Sequence, residues 1–368
     1  PEIIFFWVAR MIVAGYEYRD EMPFKNVYFT GIVRDKQRRK MSKSLGNSPD
    51  PIELMKKYGA DGVRAGMLFS APAGNDLLFD EKLCEQGRNF SNKLWNAFRL
   101  IQTLEISDKG KDQSLAIDWI NSRFNEVLKE VEDHFSKYRI SDALLSLYTF
   151  IWDDFCSWYL EIIKDNSISN ETYKETISIL DKTLKTLHPF MPFITEELWN
   201  QIDNERDYIM ISDYPLPEEF DKNLNNDFKK VFEMVTALRK LKSDNKIKQI
   251  DVVNVMVNKK SDFDFNKYNK IIEKLSKTKD LKVVNEIPNN YPTLISGKDT
   301  LCLAIEKSED SREDTLKQFE YLEGFLQSVE KKLSNKSFVD NAPKNIIDIE
   351  KKKRDDAVIK LQNLKKSI

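Results

Sequence analysis

Residues 117–135 read IDWINSRFNEVLKEVEDHF, and their apolar side chains recur every three or four positions. The recurring residues are Ile117, Ile120, Phe124, Leu128, Val131 and Phe135. Such spacing places apolar side chains on one side of an α-helix, which then packs against a core. The stretch therefore predicts a long amphipathic helix and, with its neighbours, a chain that is mainly α.

Three further apolar stripes flank this helix in the sequence. They cover residues 90–104, 140–158 and 173–187, and the last ends where Pro189 follows His188. A proline disrupts a helix that reaches it, and a proline-rich stretch at 214–217 closes the region. The pattern predicts a helical bundle over residues 81–221.

Residues 1–80 mix strand-like and helix-like signals. Residues 27–29 (Val-Tyr-Phe) are β-prone, and residues 51–57 have the pattern of a short helix stopped by Gly59. Asp61 is expected to cap a second short helix, and Arg64 to brace the two short helices against each other. Alternation of this kind indicates part of an α/β domain.

Two more segments follow residue 221. Residues 222–308 alternate helix-like and strand-like runs, which predicts a small α+β module. In residues 309–368, two apolar stripes at helical spacing lie on either side of a break at 334–344. Because no other element is left to bury those stripes, an antiparallel coiled-coil hairpin is expected.

Composition narrows the class of protein. The 368 residues include 58 Lys and Arg and 60 Asp and Glu, a net charge of −2. This balance excludes a uniformly basic nucleic-acid binder but allows local basic patches. No uncharged apolar run approaches the roughly 18 residues that a membrane span needs, so no membrane partner is expected.

The cysteines and the first residue indicate the cellular compartment and the extent of the chain. Cys84, Cys156 and Cys302 lie far apart and form no C-x-x-C pair, which argues against structural zinc and against a disulfide framework. This usage favours a reducing cytoplasm. The chain opens on Pro1 inside an apolar run, as a piece cut from a longer protein would. We expect a monomer.

The most basic short stretch, RDKQRRKMSK at 34–43, has six basic residues against one acid, a local net charge of +5. The small, turn-prone residues SLGN follow it at 44–47. Lysines and hydroxyls on a loop can bind a polyphosphate, because they offer point charges and short donors to its oxygens. The alternative interpretation is an ordinary solvated basic loop.

The string KMSKSLGN at 40–47 resembles the signature loop of class I aminoacyl-tRNA synthetases. Its flanks TGIVRD at 30–35 and YGADGVR at 58–64 are similar to the same family. NFSNKLWNA at 89–97 and HPFMPFITEELW at 188–199 fit its valine-specific members best. The resemblance implies a partial Rossmann-like catalytic domain at 1–80, an anticodon-binding bundle at 81–221, a linker module at 222–308 and a tRNA-binding arm at 309–368.

The same resemblance implies a reaction. In this family the amino-acid carboxylate attacks the α-phosphorus of ATP, which is bound with Mg²⁺, and pyrophosphate leaves. Carried over by position, Lys43 contacts the triphosphate as the transition state forms, with Lys40 and Ser42 assisting. Gly31 lies where adenine approaches the backbone, an approach that a residue without Cβ permits. No metal site is implied within this chain.

The family's other signature needs two histidines separated by one residue and a glycine. His134 is followed by FSK and His188 by PFM, so neither forms that motif. The chain is therefore expected to lack full catalysis by itself and to retain tRNA binding. The implied partners are tRNA(Val) for the chain, with valine and ATP for the full-length enzyme.

The last helix-like stretch is the electropositive half of the predicted arm. Residues 344–368 have eight basic residues and four acids, a net of +4, whereas residues 312–333 have a net of −1. The alternatives are a tRNA phosphate contact and a solvated coiled-coil face. The candidate tRNA-binding residues are Lys351, Lys352, Lys353, Arg354 and Lys360.

Two competing functions stay open at this point. The chain could be a stand-alone, non-catalytic tRNA-binding module derived from a synthetase. It could also be a purely structural helical scaffold, although the KMSKSLGN string would then be unexplained.

Overall fold

The computed structural model describes residues 3–71, 76–111, 113–165, 167–288, 291–305, 309–334 and 344–365. The structure is mostly helical, at 62%, with small sheets. The chain divides into two compact units, Pro1–Asn225 and Asn226–Ile368. No helix in the described ranges is long and apolar enough to cross a membrane.

The first unit opens with a π-helical turn, Ile4–Val8, that continues into helix α1 (Ala9–Arg19). No residue of either element is buried. The exposed large apolar side chains here include Phe5, Phe6, Trp7, Met11 and Val13. This segment therefore presents an apolar surface and contributes no core of its own.

A two-stranded parallel sheet follows, in which β1 (Val33–Arg34) pairs with β2 (Leu77–Leu78). The strand predicted at residues 27–29 is absent, so that prediction was wrong. A strand requires a hydrogen-bonding partner, and the available partner, β2, pairs six residues further along the chain. Val27 and Tyr28 are exposed instead.

The two short helices are present as α2 (Pro51–Tyr58) and α3 (Ala60–Phe69). Asp50 caps α2 through the amide of Ile52, 2.8 Å away, and Gly59 ends α2 and precedes α3. Asp61 is therefore not the cap of α3 that the sequence predicted. It lies in the first turn of that helix and is buried.

Asp61 and Arg64 instead fasten α3 to the later helical region of the same unit. The Asp61 carboxylate accepts from the amide of Ile194 at 2.6 Å. Arg64 donates to the carbonyl oxygens of Pro189 and Phe190, both at 3.1 Å. The predicted brace between the two short helices was wrong, because the partners of Arg64 lie more than 120 residues away in sequence.

The helical region begins with α4 (Glu81–Gln102) and α5 (Ser114–Ser136), between which Ile106–Lys111 forms a short extended strand, β3. The region continues with α6 (Ile140–Thr149), a π-helical segment (Phe150–Tyr159), α7 (Leu160–Ile163), α8 (Asn170–Leu187) and α9 (Pro192–Ile202). The predicted stripes form the core: Phe90, Leu94, Phe124, Leu128 and Leu180 have at most 1% of their surface exposed. Phe135, at the end of its stripe, is 37% exposed, since α5 ends one residue later.

Helix α10 (Lys222–Asp244) crosses into the second unit, where a mixed four-stranded sheet forms. Its elements are β4 (Val253–Asn258), α11 (Phe265–Ser276), β5 (Thr278–Val284), β6 (Thr293–Ser296) and β7 (Asp299–Leu303). The strand order is β5-β4-β7-β6; β4 and β5 are parallel and the other pairs antiparallel. Val255 and Val257 pair with Leu303 and Leu301, and all four are buried.

Two long helices end the described chain, α12 (Glu309–Ser334) and α13 (Lys344–Lys365). They pack against each other and bury Val329 and Ala357. The pKa of Glu350, near the start of α13, is lowered mainly by its hydrogen bond from Lys353 and in smaller part by the charge of Lys332, near the end of α12. Proximity of one helix end to the next helix start is what an antiparallel hairpin requires.

Candidate functional site

The basic loop after β1 folds back on its own strand. The amide of Met41 donates to the carbonyl of Val33 at 3.0 Å, and the backbones of Arg34 and Lys40 form an isolated antiparallel β-bridge. Within the turn, the amide of Asp35 donates to the carbonyl of Arg39 at 2.9 Å. The loop is therefore a tight antiparallel turn rather than a loose basic segment.

Asp35 is the buried acceptor at the centre of this turn. Its carboxylate accepts from the amides of Gln37 (3.0 Å) and Arg39 (2.9 Å), from Nε of Arg39 (2.8 Å) and from Nδ2 of Asn47 (3.0 Å). These donors favour the charged form and lower the pKa of Asp35 to about 2, with the Asn47 hydrogen bond as the largest cause. The one acid of the basic stretch thus organises its fold.

Asn47 joins the two ends of the KMSK segment. Its Nδ2 reaches both Asp35 and the carbonyl of Lys40 (3.3 Å), while its Oδ1 accepts from the amide of Ser42 at 3.0 Å. Ser42 in turn caps the 3₁₀ turn Lys43–Leu45 through the amide of Leu45 at 3.3 Å. One amide side chain therefore fixes the backbone that carries Lys40, Ser42 and Lys43.

Ion pairs with nearby carboxylates balance part of the positive charge of the loop. At least three of its six basic residues are ion-paired: Arg34 with Asp76, Lys36 with Asp80 at 3.4 Å, and Arg39 with Asp35 at 2.7 Å. Lys43 is exposed and has no ion pair with any side chain in the described ranges. Lys40 is also exposed. The structure thus brings Lys40, Ser42 and Lys43 together on one short turn.

Gly31 lies two residues before β1, where the chain enters the sheet. The following residue, Ile32, donates its amide to Asp76 at 3.2 Å and accepts from the amide of Leu77 at 3.0 Å. The backbone beside Gly31 is therefore held by the same acid that neutralises Arg34. Gly31 itself is half-buried.

The second candidate surface is on α13. Lys351, Lys352 and Lys353 are exposed and Arg354 is half-buried. Nζ of Lys353 lies 2.7 Å from the carboxylate of Glu350, so its charge is balanced within the protein. Lys351 and Lys352 have no ion pair with a described side chain and are the more available cations. Lys360 belongs to α13, but its side chain lies outside the described residues.

Metal-ligating side chains do not cluster in the described ranges. No group of three or more His, Cys, Asp or Glu residues there could hold a metal ion. The three cysteines are buried and unbridged, and burial raises the pKa of Cys156 to about 12 and also raises that of Cys84.

Sequence profiles of known families match three parts of the chain. "tRNA synthetases class I (I, L, M and V)" matches residues 1–80, and "Anticodon-binding domain of tRNA ligase" matches residues 118–257. "Valyl tRNA synthetase tRNA binding arm" matches residues 309–368.

Among curated proteins, the valine–tRNA ligase of Christiangramia forsetii is 48% identical over 382 residues, which cover 100% of this chain and 43% of that protein. By homology, the chain belongs to the valine–tRNA ligase family. The Phocaeicola vulgatus member is 47% identical with the same coverage, and the Fusobacterium nucleatum member is 36% identical and covered to 44%. The chain thus spans less than half the length of these valine–tRNA ligases and matches their C-terminal part.

Solved structures give a weaker likeness. A leucyl-tRNA synthetase–tRNA complex from Agrobacterium radiobacter aligns over 59% of this chain and 27% of its own, with 19% identity and a TM-score of 0.44. The family resemblance inferred from the sequence is confirmed by the profiles and by the valine–tRNA ligase relatives.

Two residues of the loop escaped the sequence reasoning. Asp35 was counted there only as a subtraction from the positive charge, and Asn47 only as a turn-former. Their roles depend on a hydrogen bond across 12 residues. An acid isolated among six basic residues, next to a family motif, is the signal that could have indicated Asp35.

Protonation of Asp35 is expected to loosen the loop in acid. Because the pKa of Asp35 is lowered from its ordinary 3.8 to about 2, its stabilisation is complete above about pH 4. It is lost as the pH falls through about 2. Hydrogen exchange of the Gln37 and Arg39 amides, relative to intrinsic rates, should therefore accelerate across this window.

The Leu77 amide, bonded to a backbone carbonyl, provides the internal comparison. An Asp35→Asn variant should show weak protection of the Gln37 and Arg39 amides that no longer depends on pH. Protection of these two amides that stays constant from pH 5 to pH 2 in the wild-type chain would contradict the assignment.

Proposed function

We propose that this chain acts as part of a valine–tRNA ligase, which activates valine with ATP and transfers it to tRNA(Val). The observation that carries the proposal is the KMSKSLGN turn, in which Lys40, Ser42 and Lys43 are fixed by Asn47 and Asp35. Its support is a match to valine–tRNA ligases along the whole chain at up to 48% identity. That match disfavours both a stand-alone binding module and a structural scaffold.

The proposed role of the loop is to stabilise charge on the triphosphate of ATP, which is bound with Mg²⁺. When valine attacks the α-phosphorus, negative charge accumulates on the leaving pyrophosphate. Lys43, exposed and without an ion pair in the described chain, is the principal contact, with Lys40 and the Ser42 hydroxyl beside it. Charge held in place before the reaction stabilises the transition state without reorganisation. Gly31 is the proposed point of backbone approach to adenine.

The proposed organisation assigns each segment a part in this function. Residues 1–80 belong to the Rossmann-like catalytic domain and residues 81–221 form the anticodon-binding bundle. Residues 222–308 are the α+β linker, and residues 309–368 form an antiparallel coiled-coil arm that binds tRNA. We further propose a monomer that works in the cytoplasm and needs no structural metal in this part.

The proposal is tested directly by measuring how tightly this chain binds tRNA(Val) when lysines of the arm are replaced. Lys351→Gln with Lys352→Gln removes two exposed α13 lysines that form no ion pair with a described side chain. We expect the Kd for tRNA(Val) to rise about tenfold near 0.1 M salt. The slope of log K against log salt should become shallower by about 0.7–0.9 per lost phosphate contact.

Lys331→Gln on α12 is the control. It removes an exposed lysine from the other arm helix, whose net charge of −1 over residues 312–333 disfavours contact with phosphates. It should change the Kd less than twofold. Lys353, Arg354 and Lys360 remain proposed contacts. An unchanged salt slope in the double variant would remove the arm from the proposed tRNA interface.

A further inference from the structure

Of the four segments of the chain, residues 222–308 have the largest net positive charge. Residues 222–308 contain 18 basic residues and 11 acids, a net of +7 in a chain whose total is −2. The basic loop has +5 and residues 344–368 have +4. The module between the bundle and the arm is thus the main cationic part of the chain.

Helix α11 collects part of this charge on one face. Lys267, Lys270 and Lys274 follow i, i+3, i+7 spacing, and so they share one side of the helix. Tyr268 and Ile272, on the other side, are fully buried. The lysines span about 10 Å along the axis, enough to lie along several phosphates of one strand.

Two exposed lysines of this helix form no ion pair within the described part of the chain. Lys267 and Lys270 are exposed, and neither has an ion pair with a described side chain. Lys267 also lies 5.2 Å from the Tyr268 ring centroid, a contact that orients its ammonium without neutralising it. Lys277, exposed, follows at the end of α11.

Ordinary structural roles account for other lysines of the module and in part for Lys274 and Lys277, but not for Lys267 and Lys270. Lys279 and Lys282 lie on β5, an edge strand, where lysines prevent pairing with another chain. Lys274 and Lys277 lie at the C-terminus of α11, where a cation complements the helix dipole. Lys267 and Lys270 fall in the first two turns, where the dipole disfavours positive charge.

We propose that the α11 lysine face, Lys267, Lys270, Lys274 and Lys277, is a second RNA-binding surface that contacts the phosphate backbone of the tRNA. The inference rests on the proposed function, since that function supplies the polyanion. Ammonium groups on one helix face bind phosphates without reading bases. Two separate basic surfaces would divide the backbone contacts between the arm and the module.

The test compares two double variants of equal charge. Lys267→Gln with Lys270→Gln removes the α11 contacts, and Lys279→Gln with Lys282→Gln removes two lysines from the β5 edge. The first variant should weaken binding about fivefold near 0.1 M salt and reduce the salt slope by about 1–2. The second should change the Kd less than twofold.

The probes are a tRNA(Val) transcript and an unrelated tRNA, and both should lose the same factor, because phosphate contacts carry no sequence information. Circular dichroism and the thermal midpoint confirm that each variant is folded. Equal losses in both double variants, or no loss in the first, would overturn the assignment to α11. If the arm variant weakens binding and the α11 variant does not, only this inference fails; if wild-type chain does not bind tRNA, the proposed function fails.

Discussion

Lys242→Met is expected to lower the free energy of unfolding of the second unit by about 3–5 kcal/mol. The Lys242 side chain is completely buried at the end of α10. Its ammonium donates to the carbonyls of Gln249 (3.3 Å), Asp251 (2.7 Å), Ser276 (2.9 Å) and Lys277 (2.7 Å). One side chain therefore ties the end of α10 to the approach to β4 and to the α11–β5 turn.

The size of the effect follows from what methionine leaves behind. Burial lowers the pKa of Lys242, so the charged form is costly, and the surrounding carbonyls offset that cost. Methionine fills a similar volume but donates nothing, so the carbonyl of the buried Ser276 would be left without this donor at a cost of about 1–3 kcal/mol. The carbonyls of the exposed Gln249, Asp251 and Lys277 would add smaller losses, because water can reach them. The variant is therefore less stable than the wild-type chain, although an apolar residue in a buried site is usually tolerated.

Lys240→Met is the matched control, because Lys240 is an exposed lysine two residues earlier on the same helix. Urea unfolding followed by circular dichroism should show a loss for Lys242→Met and a change within about 0.5 kcal/mol for Lys240→Met. The thermal midpoint of the second unit should fall by more than about 10 °C. Equal free energies of unfolding for the two variants would contradict a stabilising role for the hydrogen bonds from Lys242 to the four carbonyls.

Periodicity alone predicts the helical part of the fold well, because burial on one side of a helix is recorded locally in the sequence. Most apolar positions of the α4, α5 and α8 stripes are buried where the spacing places them, although Tyr173 and Ile177 of α8 are half-buried. Pro51 and Gly59 bound α2 as predicted. The short strands are harder, since each depends on a distant partner. Residues 27–29 have strand composition without a strand, and β6, four residues at the edge of its sheet, is defined by its pairing with β7.

Side-chain roles that depend on folded neighbours were the least predictable. Lys242 has the sequence context of one more surface lysine, yet it is fully buried. Asp61 has the context of a helix cap, yet it accepts from an amide 133 residues away. Family resemblance predicts the candidate residues Lys40, Ser42 and Lys43, whereas the roles of Asp35 and Asn47 depend on a hydrogen bond that forms only in the folded loop.

Gly66→Ala is expected to destabilise the first unit by about 3 kcal/mol, although alanine normally favours a helix. A Cβ at Gly66 in α3 would lie 2.6 Å from the amide nitrogen and 2.7 Å from the Cα of Cys84 in α4. Gly87 in α4 is equally close, since its Cβ would lie 2.4 Å from the carbonyl oxygen of Gly62. These contacts are with backbone, so the two helices would have to separate.

Separation of α3 from α4 would also disturb the attachment of α3 through Asp61 and Arg64, which links the signature-loop segment to the helical region. Gly324→Ala in α12 is the control, because a Cβ there meets nothing within 4 Å and should stabilise its helix by about 0.5–1 kcal/mol. Calorimetry should show the thermal midpoint of the first unit falling by about 6–12 °C in Gly66→Ala. A midpoint for Gly66→Ala at or above the wild-type value would contradict the close backbone contact between α3 and α4.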